Sequence, residues 1–212
     1  MRGLLKLVYC EFLKLKRKKF VLLTLLAAVL FPIPMTIFAT RSSLGFDWLY
    51  LNIGVYGYFL LLPTILGVLG AILFFSERAN ETQKNINTIP ISTASLIGAK
   101  VITILIFSII YSLSTNSATL IGGVMIGNTN RIVYRLLIGL LIGVMVAISI
   151  LPVIAIECLS RKGYIFSIIL SFAYASGSFA IVFAMSNILS PLSAVFRWAL
   201  PHMTTGPTYG LD

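Results

Sequence analysis

The sequence predicts an all-α polytopic membrane protein, and two features of it lead to that class. Hydrophobic residues make up 58% of the 212 residues, charged residues only 10%, and the mean hydropathy is +1.01. Because soluble domains are about a quarter charged, a soluble enzyme and a disordered chain are both excluded. The apolar residues also form long runs instead of short alternating strands, which excludes a β-barrel.

Five runs are long enough to cross the apolar core of a bilayer, which takes about 20 mainly apolar residues. They contain no Asp, Glu, Lys or Arg, which argues against a voltage sensor or a proton relay. Pro32 and Pro34 are expected to bend the first run. The runs are Phe20–Thr40, Ile53–Phe75, Val101–Ile126, Leu136–Ile156 and Tyr164–Met185. We therefore expect a transmembrane domain over residues 20–185.

The distribution of basic residues predicts a cytoplasmic N-terminus. Of the 16 Lys and Arg residues, 7 lie in the first 19 positions. With the N-terminus inside, 12 lie on the cytoplasmic side and 4 outside, as the positive-inside rule requires. Cys10 and Cys158 then both face the cytoplasm, where reduced thiols are expected. Residues 186–212 would lie outside. Prolines make this segment too broken to span, but it could form short interfacial helices anchored by Phe196, Trp198 and Tyr209.

The first 19 residues have the pattern of an amphipathic helix. One helical stripe is apolar and the remaining positions are mostly basic, which is typical of a helix lying in the membrane interface. The alternative is that these residues are only the basic flank of the first span. The residues of the apolar stripe are Leu4, Leu5, Val8, Phe12 and Leu15.

The segment 76–100 between the second and third runs is polar and, in this orientation, cytoplasmic. A short helix is expected over residues 82–89, with Pro90 ending it. Ser92 or Ser95 is expected to cap the helix that enters the third run. Such a segment suits the docking of a cytosolic partner, although a solvated loop would have the same composition.

Two sequence stretches resemble those of a known family. The basic lead-in EFLKLKRKKFVLLTLLAAVLFPI precedes the first run, and FFSERANETQKNINTIPIS follows the second, with Lys100 beyond it. Together they resemble the permease subunits of type-2 ABC exporters. They resemble more narrowly the bacterial group that protects cells against lantibiotics and bacitracin-like peptides. The resemblance covers essentially the whole chain.

The resemblance implies a set of roles and partners. Residues 1–19 would be an elbow helix along the inner leaflet, and segment 76–100 would carry a coupling helix that docks on a cytosolic ATP-binding subunit. ATP and Mg²⁺ would be bound by that subunit, and a second permease copy or a related permease would complete the transporter among the membrane lipids. Family members have six spans, so a sixth would be expected after residues 186–212. The expected docking residues are Glu77, Glu81, Lys84, Ile86, Ile89 and Pro90.

Motifs for chemistry within the chain itself are not found. No G-x-x-x-x-G-K-[ST] phosphate-binding loop occurs, so ATP is expected on another chain. The single histidine, His202, has no nearby acidic or cysteine residue in the sequence with which to form a metal site or a triad. We expect no catalytic residue, no metal and no nucleic-acid partner. An intramembrane enzyme is therefore the least favoured class.

Polar residues inside the third run allow two interpretations. They either hydrogen bond between helices or line a substrate path, since hydroxyls and amides in hydrocarbon need partners. Gly139 and Gly143 offer a small-residue face for close helix contact. Glu157 is expected to pair with Arg161 or Lys162, or alternatively to contact the ATP-binding subunit. The residues of the polar band include Ser112, Thr115, Asn116 and Thr119.

The sequence thus favours a permease subunit of an ATP-driven exporter in the bacterial cell membrane. The resemblance implies that its substrates are antimicrobial peptides or similar amphipathic compounds. The alternative is a non-transport scaffold or sensor that recruits a cytosolic partner to the membrane.

Overall fold

The computed structural model describes residues 2–16, 18–79, 92–127, 131–159, 164–184 and 190–204. These residues form helices joined by turns, and the described part holds five helices long and apolar enough to cross a membrane. The predicted all-α polytopic class is therefore confirmed. The five spans are Val21–Arg41, Phe46–Phe74, Thr93–Ile126, Ile132–Glu157 and Ile165–Ala184.

The helices are numbered here in chain order. An eight-residue π-helical segment, Gly54–Leu61, separates α4 from α5. The α-helices are α1 (Arg2–Lys16), α2 (Lys19–Leu30), α3 (Pro32–Arg41), α4 (Phe46–Ile53), α5 (Leu62–Ala79), α6 (Thr93–Ile126), α7 (Ile132–Leu159), α8 (Tyr164–Ala184) and α9 (Pro191–Met203). The end of the bundle where α5 ends and α6 begins is called the 79–92 end, and the end where α6 ends and α7 begins is called the 127–132 end.

The first span is interrupted at Phe31, between α2 and α3. Pro32 and Pro34 have no amide N–H, so each leaves the carbonyl four residues earlier without its helical donor. For Pro32 that carbonyl belongs to Ala28, and the Thr115 hydroxyl of α6 lies 3.4 Å from it as a replacement donor. The predicted proline effect is therefore present, and a neighbouring helix compensates for part of it.

The second span starts at Phe46, earlier than the predicted Ile53. Its π-helical segment begins at Gly54, and at its end the Leu62 N–H donates to the carbonyl of Gly57, five residues back. Gly54 and Gly57 therefore lie in a widened helical turn, and the helix continues through it.

The prediction that the spans contain no charged residues is wrong for the helices observed. Lys100 lies in the span of α6, and Arg135 and Glu157 lie in that of α7, all three buried. The predicted third and fourth runs exclude these three residues because charged side chains are unfavourable inside a membrane. Each of them has a polar or charged partner on another helix, which makes burial possible.

Helix α6 is the centre of the bundle, since it packs against α1, α2, α3, α5 and α7. It runs for 34 residues, from Thr93 to Ile126, without a proline. Gly127 ends it in the left-handed conformation (φ +81°), which favours glycine because a Cβ would be strained there.

The amphipathic segment at the start of the chain is helical, as predicted, but only part of its apolar stripe faces outward, because the rest packs on α6. Val8 and Leu15 are 7% and 2% exposed, because α1 packs against α6. Leu5 is 66% exposed, while Leu4 and Phe12 are half-buried. Only one flank of the stripe is therefore free to contact lipid, and the seating of α1 in the membrane interface stays a prediction.

Helix α9 is a short helix of the kind expected within residues 186–212, and its position in the membrane interface stays a prediction. Ser190 caps it in a reciprocal arrangement with Ser193, and Pro191 occupies the first turn, where no amide donor is needed. Phe196 is not an interfacial anchor, because it is buried against Phe59, with ring centroids 4.5 Å apart, and against α8. Trp198 is partly exposed, and Tyr209 lies outside the described residues.

Helix α9 also lies inside the bundle and not only on its surface. The Ser190 hydroxyl, at the start of α9, donates to the Ser178 hydroxyl at 3.0 Å. Ser178 lies six residues before the end of α8, so α9 starts beside a point about 9 Å from the end of α8. Its other end reaches Tyr134, at the start of α7, through His202. Helix α9 therefore runs from a position beside Ser178 of α8 to the 127–132 end.

Candidate functional site

The expected docking residues fall mostly outside the description. The structure describes α5 to Ala79 and resumes at Ser92. Glu77 lies in α5, but its side chain is not described. The docking role of this segment therefore stays a prediction. Outside the described residues lie Glu81, Lys84, Ile86, Ile89 and Pro90.

The start of α6 is capped as the sequence predicted. The Ser92 Oγ accepts a hydrogen bond from the Ser95 N–H at 3.3 Å, and the two hydroxyls are 2.7 Å apart. A serine at this position satisfies a backbone donor that the helix itself leaves unpaired. The helix that returns from the predicted docking segment is therefore fixed at its first turn.

A buried ion pair lies near the 79–92 end. Lys100 Nζ on α6 lies 3.3 Å from Glu11 Oε2 on α1, and it donates a hydrogen bond of 2.8 Å to the Leu73 carbonyl on α5. Both side chains of the pair are 1–2% exposed. Lys14 donates to the other Glu11 oxygen at 2.7 Å from a more exposed position. The sequence analysis missed Glu11, although it is the one acidic residue in a basic helix.

The polar band of α6 faces neighbouring helices. Ser108 donates to the Gly143 carbonyl of α7 at 2.7 Å, and the Tyr58 hydroxyl lies 3.4 Å from the Ser112 carbonyl. A Cβ on Gly139 would lie 2.6 Å from the Asn116 side-chain oxygen, so this glycine permits the close approach of α7. Close packing thus surrounds the band, and its residue Thr115 contacts another helix through its hydroxyl, 3.4 Å from the Ala28 carbonyl of α2.

The four predicted residues of this band are all buried, with exposures of 3% or less, namely Ser112, Thr115, Asn116 and Thr119. Within the described part of the chain, the Ser112 hydroxyl, the Asn116 amide nitrogen and the neighbouring Tyr111 hydroxyl have no hydrogen-bond partner. Buried polar groups of this kind are commonly satisfied by internal water. A role in a substrate path stays a prediction.

Glu157 is held by α8 at the same end of the bundle as Lys100. Its Oε1 accepts a 2.7 Å hydrogen bond from the Ser171 hydroxyl, and the carboxylate is buried. Gly67 of α5 packs against this pair, because a Cβ there would lie 2.5 Å from the Ser171 Cβ. Arg161 and Lys162, the expected partners of Glu157, lie outside the described residues.

At the 127–132 end, Arg135 forms an ion pair with Asp47. The Arg135 side chain is 3% exposed and that of Asp47 is 56% exposed. The guanidinium lies against two neighbouring aromatic rings, 4.6 Å from the centroid of Phe46 and 4.8 Å from that of Tyr50. The sequence did not indicate this cluster, because the predicted second span begins at Ile53, after Asp47 and Tyr50.

His202 joins α9 to α7 at that end. Its Nδ1 and the Tyr134 hydroxyl are 2.8 Å apart, and the Trp198 ring lies 4.8 Å from the imidazole, centroid to centroid. The side chain is thus a polar contact between helices, in line with its expected position near the interface.

A groove runs between α3 and α6 near the 127–132 end, with a volume of about 390 Å³. Its wall is mainly apolar and includes Ile37, Ala118 and Ile121. Thr40 and Arg41 bring polar groups to its rim. The groove therefore combines an apolar wall with hydroxyl and guanidinium groups.

These features define a class of protein, a polytopic α-helical membrane protein with a buried ion pair near one end and a half-exposed ion pair near the other. Comparison with known families takes the identification further. The family described as "ABC-2 family transporter protein" matches residues 7–178. The chain therefore belongs to the ABC-2 transporter family and is a membrane permease component of an ABC transporter. Membership implies pairing with an ATP-binding ABC subunit. No significant match was found among curated proteins or among solved structures.

Proposed function

We propose that this chain is the permease subunit of an ATP-driven exporter that removes antimicrobial peptides or similar amphipathic compounds from the bacterial cell membrane. The N-terminus is cytoplasmic in this proposal, and the 79–92 end faces the ATP-binding subunit. ATP and Mg²⁺ are bound by that subunit. A second permease copy or a related permease completes the transporter.

The groove between α3 and α6 is the observation that carries the substrate class. In the proposed orientation it lies in the outer half of the membrane and opens to lipid. Its apolar wall suits the apolar face of an amphipathic molecule, and the rim at Arg41 suits a polar or anionic group of the same molecule. The resemblance to the lantibiotic and bacitracin group supports peptides as the first substrates to test.

Filling this groove is expected to abolish protection against its substrates. Ala118→Phe adds a ring to the groove wall, so an amphipathic molecule should lose most of its binding volume. We expect the minimum inhibitory concentration of a bacitracin-like peptide to fall by about tenfold relative to the parent, the loss that about 1.4 kcal/mol of binding produces. Cells that produce the permease and its ATP-binding subunit provide the assay.

Ala180→Phe is the matched control, because it adds the same ring to an exposed position on α8 away from the groove. It should leave protection near the parent level. Equal protection in the Ala118→Phe cells, at equal membrane levels, would show that the groove does not bind the substrate. If the parent changes no inhibitory concentration while retaining its partner, the scaffold or sensor alternative gains support.

Coupling to the ATP-binding subunit is expected to depend on apolar anchors in the cytoplasmic segment. Ile86→Asp or Ile89→Asp should remove the ATP-binding subunit more completely than Glu81→Ala, because buried apolar anchors usually carry more binding energy than rim charges. The measurement is co-purification of the subunit together with its permease-dependent ATP turnover. If all three variants retain the subunit as tightly as the parent, the docking assignment is wrong.

A further inference from the structure

Lys100 lies on α6 and contacts α1 and α5. In the sequence, α5 precedes the predicted docking segment and α6 follows it. Lys100 donates to the Leu73 carbonyl of α5 at 2.8 Å and lies 3.3 Å from the Glu11 carboxylate of α1. One ammonium group therefore joins both flanks of the segment to the N-terminal helix.

The burial of this pair makes the connection stiff. Lys100 and Glu11 are almost fully removed from solvent. Separating them would break a buried ion pair, which is far less favourable than keeping the pair together. In a solvent-exposed pair, water would compete for both charges, and the pair would hold the two helices together only weakly. The Val8 and Leu15 side chains add apolar burial on the same face of α1.

We propose that Glu11 and Lys100 are a positioning pair that seats α1 on α6 and makes α1, α5 and α6 move together when the cytoplasmic segment is displaced. The seating rests on the structure alone, whereas the coupled movement rests on the proposed function. Two measurements separate these parts, one without the ATP-binding subunit and one with it.

The first measurement reports the seating of α1. Val8→Cys in a Cys10→Ser, Cys158→Ser background places a thiol at a buried position on α1, where a maleimide reagent should react slowly. Adding Lys100→Met should raise the labelling rate by roughly tenfold or more, because it removes the ion pair between α1 and α6, while Glu11 keeps its pair with Lys14 on the same helix. Lys16→Met, which removes an exposed charge from the same helix, should leave the rate near that of the parent. Equal labelling rates with and without Lys100→Met would overturn the proposed seating.

The second measurement reports coupling. In the complex with the ATP-binding subunit, Lys100→Met should lower permease-dependent ATP turnover by about tenfold per complex. The double variant Glu11→Gln with Lys100→Met removes both charges, so yield and thermal stability should recover because no buried carboxylate is left without its partner on α6. Its ATP turnover should stay low, because the connection is still absent.

The double variant separates a positioning role from a structural one. Recovery of both stability and ATP turnover would overturn the positioning role, since the pair would then matter only for folding. If no ATP-binding subunit co-purifies even with the parent, the proposed function fails and the coupled movement fails with it. The labelling rates then still decide whether the pair seats α1.

Discussion

Gly67→Val is expected to prevent accumulation of the folded protein. A Cβ at this position would lie 2.5 Å from the Ser171 Cβ, and this neighbour cannot move aside as the tip of a long side chain could. Displacing α8 would also remove the hydroxyl that donates to the buried Glu157 carboxylate. We expect a loss of about 3–5 kcal/mol, from overpacking and from a buried charge without its donor.

The measurement is the yield and melting temperature of the protein in detergent, followed by size-exclusion chromatography. Gly98→Val is the matched control, because Gly98 is also helical but has no atom within 4 Å of the position a Cβ would take. Its stability should stay within about 1 kcal/mol of the parent, as helix propensities predict. Similar melting temperatures for the two variants would contradict the close packing of α5 on α8.

Asp47→Ala is expected to destabilise the protein more than Arg135→Met does, although both break the same ion pair. Without Asp47, a guanidinium that is 3% exposed loses its carboxylate, which should cost about 3 kcal/mol. Without Arg135, the group left behind is a carboxylate that is 56% exposed and keeps its hydration. That change should cost about 1 kcal/mol, mainly from lost packing on Phe46 and Tyr50.

Thermal unfolding of the purified variants gives the order directly. The combined variant Asp47→Ala with Arg135→Met should be more stable than Asp47→Ala alone, because no uncompensated charge stays buried. A lower stability for Arg135→Met than for Asp47→Ala would show that the aromatic contacts, and not the ion pair, dominate at this end of the bundle.

The sequence predicted those elements whose signal is local. Long apolar runs located the five spans, the 3.6-residue period located α1, and Ser92 located the start of α6. In each case neighbouring residues along the chain determine the outcome, either through burial along one face or through a cap.

The elements that were misplaced depend on contacts between distant residues. The predicted second span begins after Asp47, whereas the observed α4 includes this residue, and its ion-pair partner Arg135 lies 88 residues away. Lys100 excluded the first turns of α6 from the predicted span for the same reason, because its partner Glu11 lies in α1. A short helix was expected where α9 lies, but its contacts with Ser178 of α8 and Tyr134 of α7 could not be predicted from its own residues.

For the candidate site, sequence reasoning selected the right polar band but not its environment. Ser112 and Asn116 were recognised because polar residues are costly in a span. That they meet Gly139 and Gly143 of α7 could not be predicted, because helix pairing is not encoded in either segment alone. Glu11 was missed because a single acidic residue among lysines is typical of any solvated helix face.

The length of α6 has a mechanical consequence. At 1.5 Å per residue, its 34 residues span about 51 Å, whereas the hydrocarbon core of a bilayer is about 30 Å thick. Because the helix contains no proline that would kink it, we expect it to tilt as one rigid rod. A tilt imposed at Ser92 on one surface would therefore displace Gly127 on the other, without any change in the helix itself.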